Sequence, residues 1–307
     1  MIRDGMTGDW IGTFIGHKGA VWQARLSEDA TLAATASADF TAKVWDTHTG
    51  ETLITLPHAH IVRSVAFPAQ ESPKVLATGG HEKKLRVFDL SHQLISSSES
   101  SDPSSPTAAV NGNNTSNGTA NSGSTSTNGN EKALSSHEIG PGIHQGSIKS
   151  IIWAPENPHV ITTACEDKEI RWWDLRSRSS IATYGLEGPL GSAEYATGVL
   201  SVAAGKSAYF FSGSTPGQLL KKVDTGKELS TVALHAGARK FVTGGAGDTW
   251  VRIWDFEREE EIDIGKGHHG PVWTSAFSPD GKLYGTGSED GTVKLWKFTE
   301  GPYGLWR

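Results

Sequence analysis

Histidine, serine, aspartate and tryptophan recur in this chain at fixed spacing, and the first three are the residue types that build hydrolase active sites. The first and last sets have identical offsets: His17, Ser37, Asp39 and Trp45, then His268, Ser288, Asp290 and Trp296. Partial sets lie between them: His144, Asp167 and Trp173, then Asp248 and Trp254. Because the set recurs, we predict a structural role and no catalytic residue. Histidine would donate to aspartate, and a hydroxyl would link it to the indole N–H.

Residues 267–296 show which elements would position such a set. An apolar alternation at 272–277 is followed by a Ser-Pro-Asp-Gly turn, a second short strand, a Ser-Glu-Asp-Gly turn and a third strand that ends at Trp296. Repeats of this length that open with Gly-His and close with Trp-Asp resemble the WD-repeat family. The resemblance implies that each repeat is one four-stranded blade of a β-propeller.

Six such repeats follow one another. The first runs from Gly16 to Asp46, whereas the second begins at His58 and has Glu82 and Phe88 at the aspartate and tryptophan positions. The fourth, around 186–212, keeps only the strand spacing. We predict an all-β fold, a single WD-repeat propeller over 1–307, of a seven-bladed family but lacking most of its first blade. Residues 8–15 read as an N-terminal outer strand, which either closes a six-bladed ring against the last repeat or belongs to a blade without its three inner strands.

A polar stretch interrupts the second repeat. Of the 35 residues in 96–130, 27 are Ser, Asn, Thr or Gly, so this stretch cannot bury enough apolar surface to offset the entropy of ordering. We predict a disordered insertion over 91–136.

Composition excludes several functional classes. A net charge of −6 and a pI near 6.1 do not suggest a dedicated nucleic-acid binder. The single cysteine, Cys165, cannot form an internal disulfide, and we expect a small buried thiol in a reducing compartment. No secretory signal, membrane-length apolar run, zinc spacing, phosphate-binding glycine loop or nucleophile elbow is present in the sequence. We therefore expect no enzyme, no metal, no cofactor, no small-molecule substrate and no membrane insertion.

The remaining candidate site is a surface at the mouth of the propeller. Two kinds of position should lie there, five residues after each opening histidine and just before each turn aspartate. They are Trp22, Arg63, Lys149 and Trp273, with Ala38, His81, Glu166 and Glu289 beside them. Tryptophan and arginine are enriched among residues that dominate binding energy, so we predict a partner-binding face. The alternative is that Trp22 and Trp273 pack partly into the ring.

Several sequence segments resemble the serine-threonine kinase receptor-associated protein family, also called unr-interacting proteins. These segments lie at 7–22, at 38–46, at His60–Arg63 with 85–87, and in the Tyr-Gly-Leu-Trp tail at 303–306. The resemblance implies a seven-bladed, non-enzymatic adaptor found in cytoplasm and nucleus. It implies partners in the survival-of-motor-neuron complex, the Gemin and Sm proteins that assemble spliceosomal snRNPs for mRNA splicing, and a role in TGF-β-type receptor signalling. The family has a further repeat ahead of the segment that matches Arg3 to Phe14.

Two alternatives stay open. The first is the WD-repeat subunit of translation initiation factor three, which has similar short sequences beginning with Gly-His. A propeller face that binds RNA directly through Arg63 and Lys149 is the second alternative, although the acidic net charge favours only indirect association with RNA.

Overall fold

The computed structural model describes residues 2–4, 9–91 and 135–298, and antiparallel strands make up most of them. At its start β1 (Ile2–Arg3) pairs with β2 (Trp10–Gly12) in a two-stranded hairpin. Six sheets follow, each built from strands that are consecutive in sequence. The all-β prediction is confirmed. Residues 92–134, which hold nearly all of the predicted insertion, and the 303–306 tail lie outside the described residues.

The strands of the six sheets are as follows. Sheet 1 contains β3 (Val21–Leu26), β4 (Leu32–Ser37), β5 (Thr41–Asp46) and β6 (Thr52–Pro57). Sheet 2 contains β7 (Val62–Ala66), β8 (Val75–Gly80), β9 (Leu85–Asp89) and β10 (Ser136–Ile139). Sheet 3 contains β11 (Ile148–Trp153), β12 (Val160–Cys165), β13 (Glu169–Asp174) and β14 (Ser179–Gly185). Sheet 4 contains β15 (Leu190–Ala196), β16 (Val199–Ala204), β17 (Ser207–Ser212) and β18 (Leu219–Asp224). Sheet 5 contains β19 (Leu229–His235), β20 (Lys240–Gly245), β21 (Val251–Asp255) and β22 (Glu261–Gly265), with a 3-10 helix at Ala236–Ala238. Sheet 6 contains β23 (Val272–Phe277), β24 (Leu283–Ser288) and β25 (Val293–Lys297).

The second strand of each sheet is short and rich in small or apolar residues. In sheets 1 and 3 every residue of that strand is buried. Sheet 3 is covered by sheets 2 and 4, whereas sheet 1 packs on sheet 2. Successive sheets pack face to face from sheet 1 to sheet 6, and apolar clusters fill each of the five interfaces. The first strand of each sheet is the innermost, so six inner strands surround a central channel. This is the arrangement of a WD-repeat propeller, and that predicted fold is confirmed.

Among the described residues, the six sheets leave a gap between sheet 6 and sheet 1. Val21 begins the inner strand of sheet 1 and is 51% exposed, whereas the residue at the same position of the other five sheets is 0–7% exposed: Val62, Ile148, Leu190, Leu229 and Val272. On the other side of the opening Val293 is 78% exposed, although its counterpart Leu85 is fully buried. Within the described residues, no sheet covers these two faces.

The N-terminal strand does not close a six-bladed ring, so that alternative is wrong. β2 pairs with β1, whereas β25 pairs only with β24 in the described part of the chain. The segment that follows β2 is anchored on sheet 1, where Phe14 contacts Trp45 with ring centroids 5.4 Å apart. β2 precedes His17 much as β10 precedes His144 and β22 precedes His268. The hairpin therefore occupies the place of the two outer strands of a seventh sheet.

Candidate functional site

A relay of side-chain hydrogen bonds ties sheet 1 together. The indole N–H of Trp45 donates to the Thr35 hydroxyl at 2.8 Å, which in turn donates to Nε2 of His17 at 2.7 Å. Nδ1–H of His17 then donates to Asp39 at 2.8 Å. We assign this tautomer because a carboxylate can only accept. Trp45 is 1% exposed and Thr35 is 5% exposed, so the relay satisfies polar groups that water cannot reach.

The residue that joins histidine to tryptophan is Thr35, and the prediction that Ser37 does so is wrong. Ser37 instead serves the adjacent turn, where its hydroxyl donates to the Gly19 carbonyl at 3.3 Å and accepts from the Asp39 N–H at 3.2 Å. Sheet 6 repeats both patterns. Thr286 connects Trp296 and His268, while Ser288 bonds to Gly270.

The turn aspartates of sheets 1 and 6 are held ionised. Burial acts to raise the pKa of Asp39, but hydrogen bonds from the Thr41 hydroxyl, the Lys18 N–H and His17 outweigh it and lower that pKa well below the usual value. The pKa of Asp290 is also lowered, mainly by the Thr292 hydroxyl and the His269 N–H. In both sheets the threonine two residues after the aspartate supplies a hydrogen bond of 2.6 Å.

Sheet 3 departs from the predicted histidine–aspartate pair. His144 is linked through Thr163 to Trp173, yet its Nδ1 has no partner among the described residues. Asp167 instead pairs with Arg171 at 2.9 Å. Burial, and then the charge of Arg171, lower the pKa of His144 to about 4. The histidine is therefore neutral at physiological pH.

Where the residue two positions after the turn carboxylate is not threonine, an arginine pairs with that carboxylate. In sheet 5 Arg252 pairs with Asp248 at 2.6 Å, and Trp254 bonds to Thr243 with no histidine in the set. In sheet 2 Arg86 pairs with Glu82 at 2.6 Å. Sequence spacing alone did not identify these arginines. The signal was present, because each lies four residues after the carboxylate, on the strand that leaves the turn.

None of these sets presents a nucleophile or a general base to a cleft. The histidines of sheets 3 and 6 are 3% and 4% exposed and are bonded to threonines inside their own blades. Burial raises the pKa of the Cys165 thiol to about 11, so the thiol is protonated and unreactive. Across the described ranges, no group of three or more histidine, cysteine or acidic side chains has metal-binding geometry. No helix in that part of the chain is long and apolar enough to cross a bilayer.

The central channel opens into a cavity of about 810 Å³. Five of the eight residues predicted for the partner-binding face line it: Trp22, Arg63, Lys149, Glu166 and Trp273. Ala38, His81 and Glu289 are not among its lining residues. His81 shares a 2.8 Å hydrogen bond with Ser147, and Glu289 accepts from the indole N–H of Trp273 at 3.3 Å.

One part of the mouth combines aromatic and cationic side chains. The Arg63 guanidinium lies 4.2 Å from the centroid of the Trp22 ring, within the range of a cation–π contact. Lys149 donates to the Leu190 carbonyl at 2.7 Å. Both cations face a single carboxylate oxygen of Glu166, at 3.8 and 3.9 Å. Burial lowers the pKa of Arg63 and of Lys149, with Glu166 acting in the opposite direction.

Trp22 and Trp273 lie at the mouth with half of each side chain in solvent. They are 51% and 50% exposed and line the cavity, so the other half of each indole packs against the ring. Half-exposure is compatible with both interpretations of these two tryptophans.

Sequence reasoning missed one ion pair inside the channel. Arg25 of sheet 1 contacts Glu194 of sheet 4 at 3.0 Å, across 169 residues of sequence. Around it, side chains of the inner strands bond from sheet to sheet, such as Gln23 accepting from the Val65 N–H at 2.9 Å. No short-range signal could have paired Arg25 with Glu194, because the curved arrangement of the sheets brings sheets 1 and 4 together across the channel.

Comparisons with known proteins agree with this architecture. The family described as WD domain, G-beta repeat matches residues 8–46, 142–174 and 260–297. Serine-threonine kinase receptor-associated protein of Gallus gallus is 38% identical over 310 residues, which cover 100% of this chain and 75% of that protein. Its counterpart in Dictyostelium discoideum is 35% identical over 97% of this chain and 86% of its own length.

A more distant similarity points to another WD-repeat protein. Eukaryotic translation initiation factor 3 subunit I of Culex quinquefasciatus is 27% identical over 97% of this chain and 87% of its own length. The higher identity to the first group, sustained along the whole chain, agrees with the resemblance noted in the sequence. The chain belongs to the serine-threonine kinase receptor-associated protein family of WD-repeat proteins.

Proposed function

We propose that this protein is a non-enzymatic scaffold that binds protein partners at the mouth of its central channel. The observation that carries the proposal is the pair of half-exposed tryptophans at the rim of an 810 Å³ cavity, one of them stacked beneath an arginine. The histidines and aspartates that could suggest an enzyme are committed to hydrogen bonds within the blades.

The physical reason is that these side chains still expose surface whose burial by a partner would contribute binding free energy. A half-exposed indole still has apolar surface to remove from water, and it is rigid, so little conformational entropy is lost when a partner covers it. Arg63 is already oriented by Trp22 and by Glu166. Pre-ordered aromatic and arginine side chains around a concave site are typical of binding hot spots.

The family suggests which partners to test. The relatives' name describes association with a serine-threonine kinase receptor, and we propose a receptor of that class as one partner. Following the family resemblance, we also propose membership of the survival-of-motor-neuron complex, with Gemin and Sm proteins as neighbours during spliceosomal snRNP assembly. This role places the protein in cytoplasm and nucleus and in contact with RNA only through its partners.

The test compares two tryptophans that have similar surroundings. Trp22 lies under Arg63 at the mouth, whereas Trp250 is 38% exposed on sheet 5 with the Lys266 ammonium 4.5 Å from its ring centroid. Trp22→Ala should weaken binding by about 2 kcal/mol, roughly 30-fold, as expected for a hot-spot residue. Trp250→Ala, the matched control, should bind as the unmodified protein does.

The readout is quantitative copurification from cells, with thermal melting to confirm that both variants are folded. Gemin and Sm proteins, receptor kinases and initiation-factor subunits are counted separately. Enrichment of initiation-factor subunits alone would favour the second family as the functional relative. Equal loss in both tryptophan variants would contradict a binding site at the mouth.

A further inference from the structure

The channel mouth carries more positive than negative charge on sheets 2 and 3. Arg63 is the second residue of the inner strand of sheet 2, and Lys149 is the second residue of the inner strand of sheet 3. Both face one carboxylate oxygen of Glu166, at 3.8 and 3.9 Å. Two cations therefore share one carboxylate. Each of these two sheets packs between two other described sheets, so both walls of the site are in place.

The guanidinium of Arg63 has hydrogen-bond donors without an acceptor in the protein. Arginine presents several N–H donors in one plane, in a geometry that matches a carboxylate. Arg63 contacts the Trp22 ring, and its nearest carboxylate oxygen, on Glu166, is 3.8 Å away, which is too long for a hydrogen bond. Among the described residues it donates no other hydrogen bond. Its side chain is only 19% exposed, so it is a pre-ordered donor with little access to water.

Lys149 is also incompletely paired. Its ammonium donates to the Leu190 carbonyl at 2.7 Å, and the Glu166 oxygen at 3.9 Å is beyond hydrogen-bond distance. Burial is the main cause that lowers the pKa of Lys149, as it is for Arg63, and Glu166 acts against it. Both cations have therefore lost water without gaining a carboxylate at hydrogen-bond distance.

The other charged groups around the cavity do not supply the missing negative charge. Glu194 pairs with Arg25 at 3.0 Å, and Glu228 belongs to sheet 5, two sheets away from sheet 3. His81 adds no positive charge at neutral pH, because burial, followed by the charge of Arg63, lowers its pKa. The local excess is therefore one positive charge.

We propose that this site on sheets 2 and 3 binds a single carboxylate of a partner protein, an aspartate or glutamate side chain in an exposed acidic segment. The inference rests on the proposed scaffold function and specifies the chemistry of the partner. A planar carboxylate accepts two parallel hydrogen bonds from the Arg63 guanidinium, and Lys149 supplies a further donor. Its one negative charge matches the local excess. A phosphate, with about two negative charges, would be repelled more strongly by Glu166.

The probe is a fluorescently labelled peptide, Gly-Ser-Gly-Leu-Glu-Leu-Gly-Ser-Gly, with both ends blocked. Its glutamate is then its only carboxylate, and the leucines can cover the Trp22 ring beside Arg63. The control peptide has glutamine in place of glutamate. Binding to the full chain is followed by fluorescence anisotropy. We expect the glutamate peptide to bind at least about tenfold more tightly than the glutamine peptide, because only the first forms charge-assisted hydrogen bonds.

Variants of the protein test the location. Arg63→Gln should weaken binding of the glutamate peptide at least about tenfold. Glu166→Gln removes the competing carboxylate and should strengthen binding about two- to fivefold, as expected for a partly exposed ion pair. A purely structural role of Glu166 would not produce this gain. Arg239 and Glu257 form a 3.4 Å ion pair beyond the far end of the inner strand of sheet 5. Arg239→Gln and Glu257→Gln make the same two charge changes there and should leave binding unchanged.

Several results would overturn the carboxylate as ligand. Equal binding of the two peptides would do so, as would an equal loss in Arg63→Gln and Arg239→Gln, or weaker binding to Glu166→Gln. Tighter binding of a peptide with phosphoserine in place of glutamate would identify a phosphate site. Tighter binding of a labelled octauridylate, reduced by Arg63→Gln, would identify RNA as the ligand.

The same measurements separate this inference from the proposed function. If copurified partners are lost in Trp22→Ala but the glutamate peptide does not bind, the scaffold proposal stands and the carboxylate site is refuted. If the glutamate peptide binds through Arg63 but copurification is the same for Trp22→Ala and Trp250→Ala, the carboxylate site stands and the scaffold proposal fails. Circular dichroism of each variant confirms that it is folded.

Discussion

Replacing Thr35 by valine tests the hydrogen-bond relay of sheet 1. Valine has nearly the shape of threonine, so the change removes the hydroxyl and leaves the packing in place. Sheet 4 shows that valine fits, because Val202 occupies the same strand position and is fully buried. The variant leaves the Trp45 N–H and Nε2 of His17 without their partner.

The expected cost follows from those two groups. Each buried polar group that loses its partner costs about 1–3 kcal/mol, so Thr35→Val should lower the free energy of unfolding by about 2–6 kcal/mol. Ser37→Ala is the comparison, because the Ser37 hydroxyl makes only contacts of 3.2–3.3 Å in a turn. It should cost about 1 kcal/mol, the net worth of an ordinary hydrogen bond.

The assay is urea denaturation followed by circular dichroism, together with native-state hydrogen exchange of β4 amides in case the blades unfold separately. In a Trp45→Phe background the indole donor is gone, so the cost of Thr35→Val should shrink, and the difference measures their coupling. A Ser37→Ala cost equal to or above that of Thr35→Val would refute the assignment of the linking hydroxyl.

Two further predictions concern buried titratable groups. The pKa of His144 falls from 6.5 to about 4 on folding, so the unfolded chain binds more protons between those values, and stability should drop by about 3 kcal/mol as the pH is lowered across that window. His144→Gln should flatten this dependence in denaturation curves, and an unchanged slope would contradict it. Cys165 is fully buried with its pKa raised, so iodoacetamide should modify it only after unfolding in urea; rapid labelling of the native protein would contradict its burial.

The sequence by itself determined the repeating elements. Alternation at 272–277 predicted a strand that the structure places at Val272–Phe277, and the spacing from histidine to tryptophan identified the blades. Local pattern carries this information because a strand has a two-residue period and tight turns need particular residues. The same period explains the error at Ser37. Thr35 and Ser37 are two residues apart and lie on one face of β4, so spacing alone cannot say which hydroxyl the indole reaches.

The local sequence also determines whether histidine or arginine is the partner of the turn carboxylate. Thr41 and Thr292 follow their aspartates by two residues and leave histidine as the partner, whereas Arg171 and Arg252 replace it where that threonine is absent. A single repeat does not reveal this rule. It emerges only when several blades are compared in three dimensions.

Only the tertiary structure decided how the blades are arranged around the channel. It joined Arg25 to Glu194, gathered Trp22, Arg63 and Lys149 around one cavity, and left Val21 and Val293 exposed among the described residues. These contacts unite residues from separate repeats, and each repeat would have the same local pattern whether its neighbour were present or absent. Exposure of an apolar side chain depends on what packs against it, and that is a property of the whole ring.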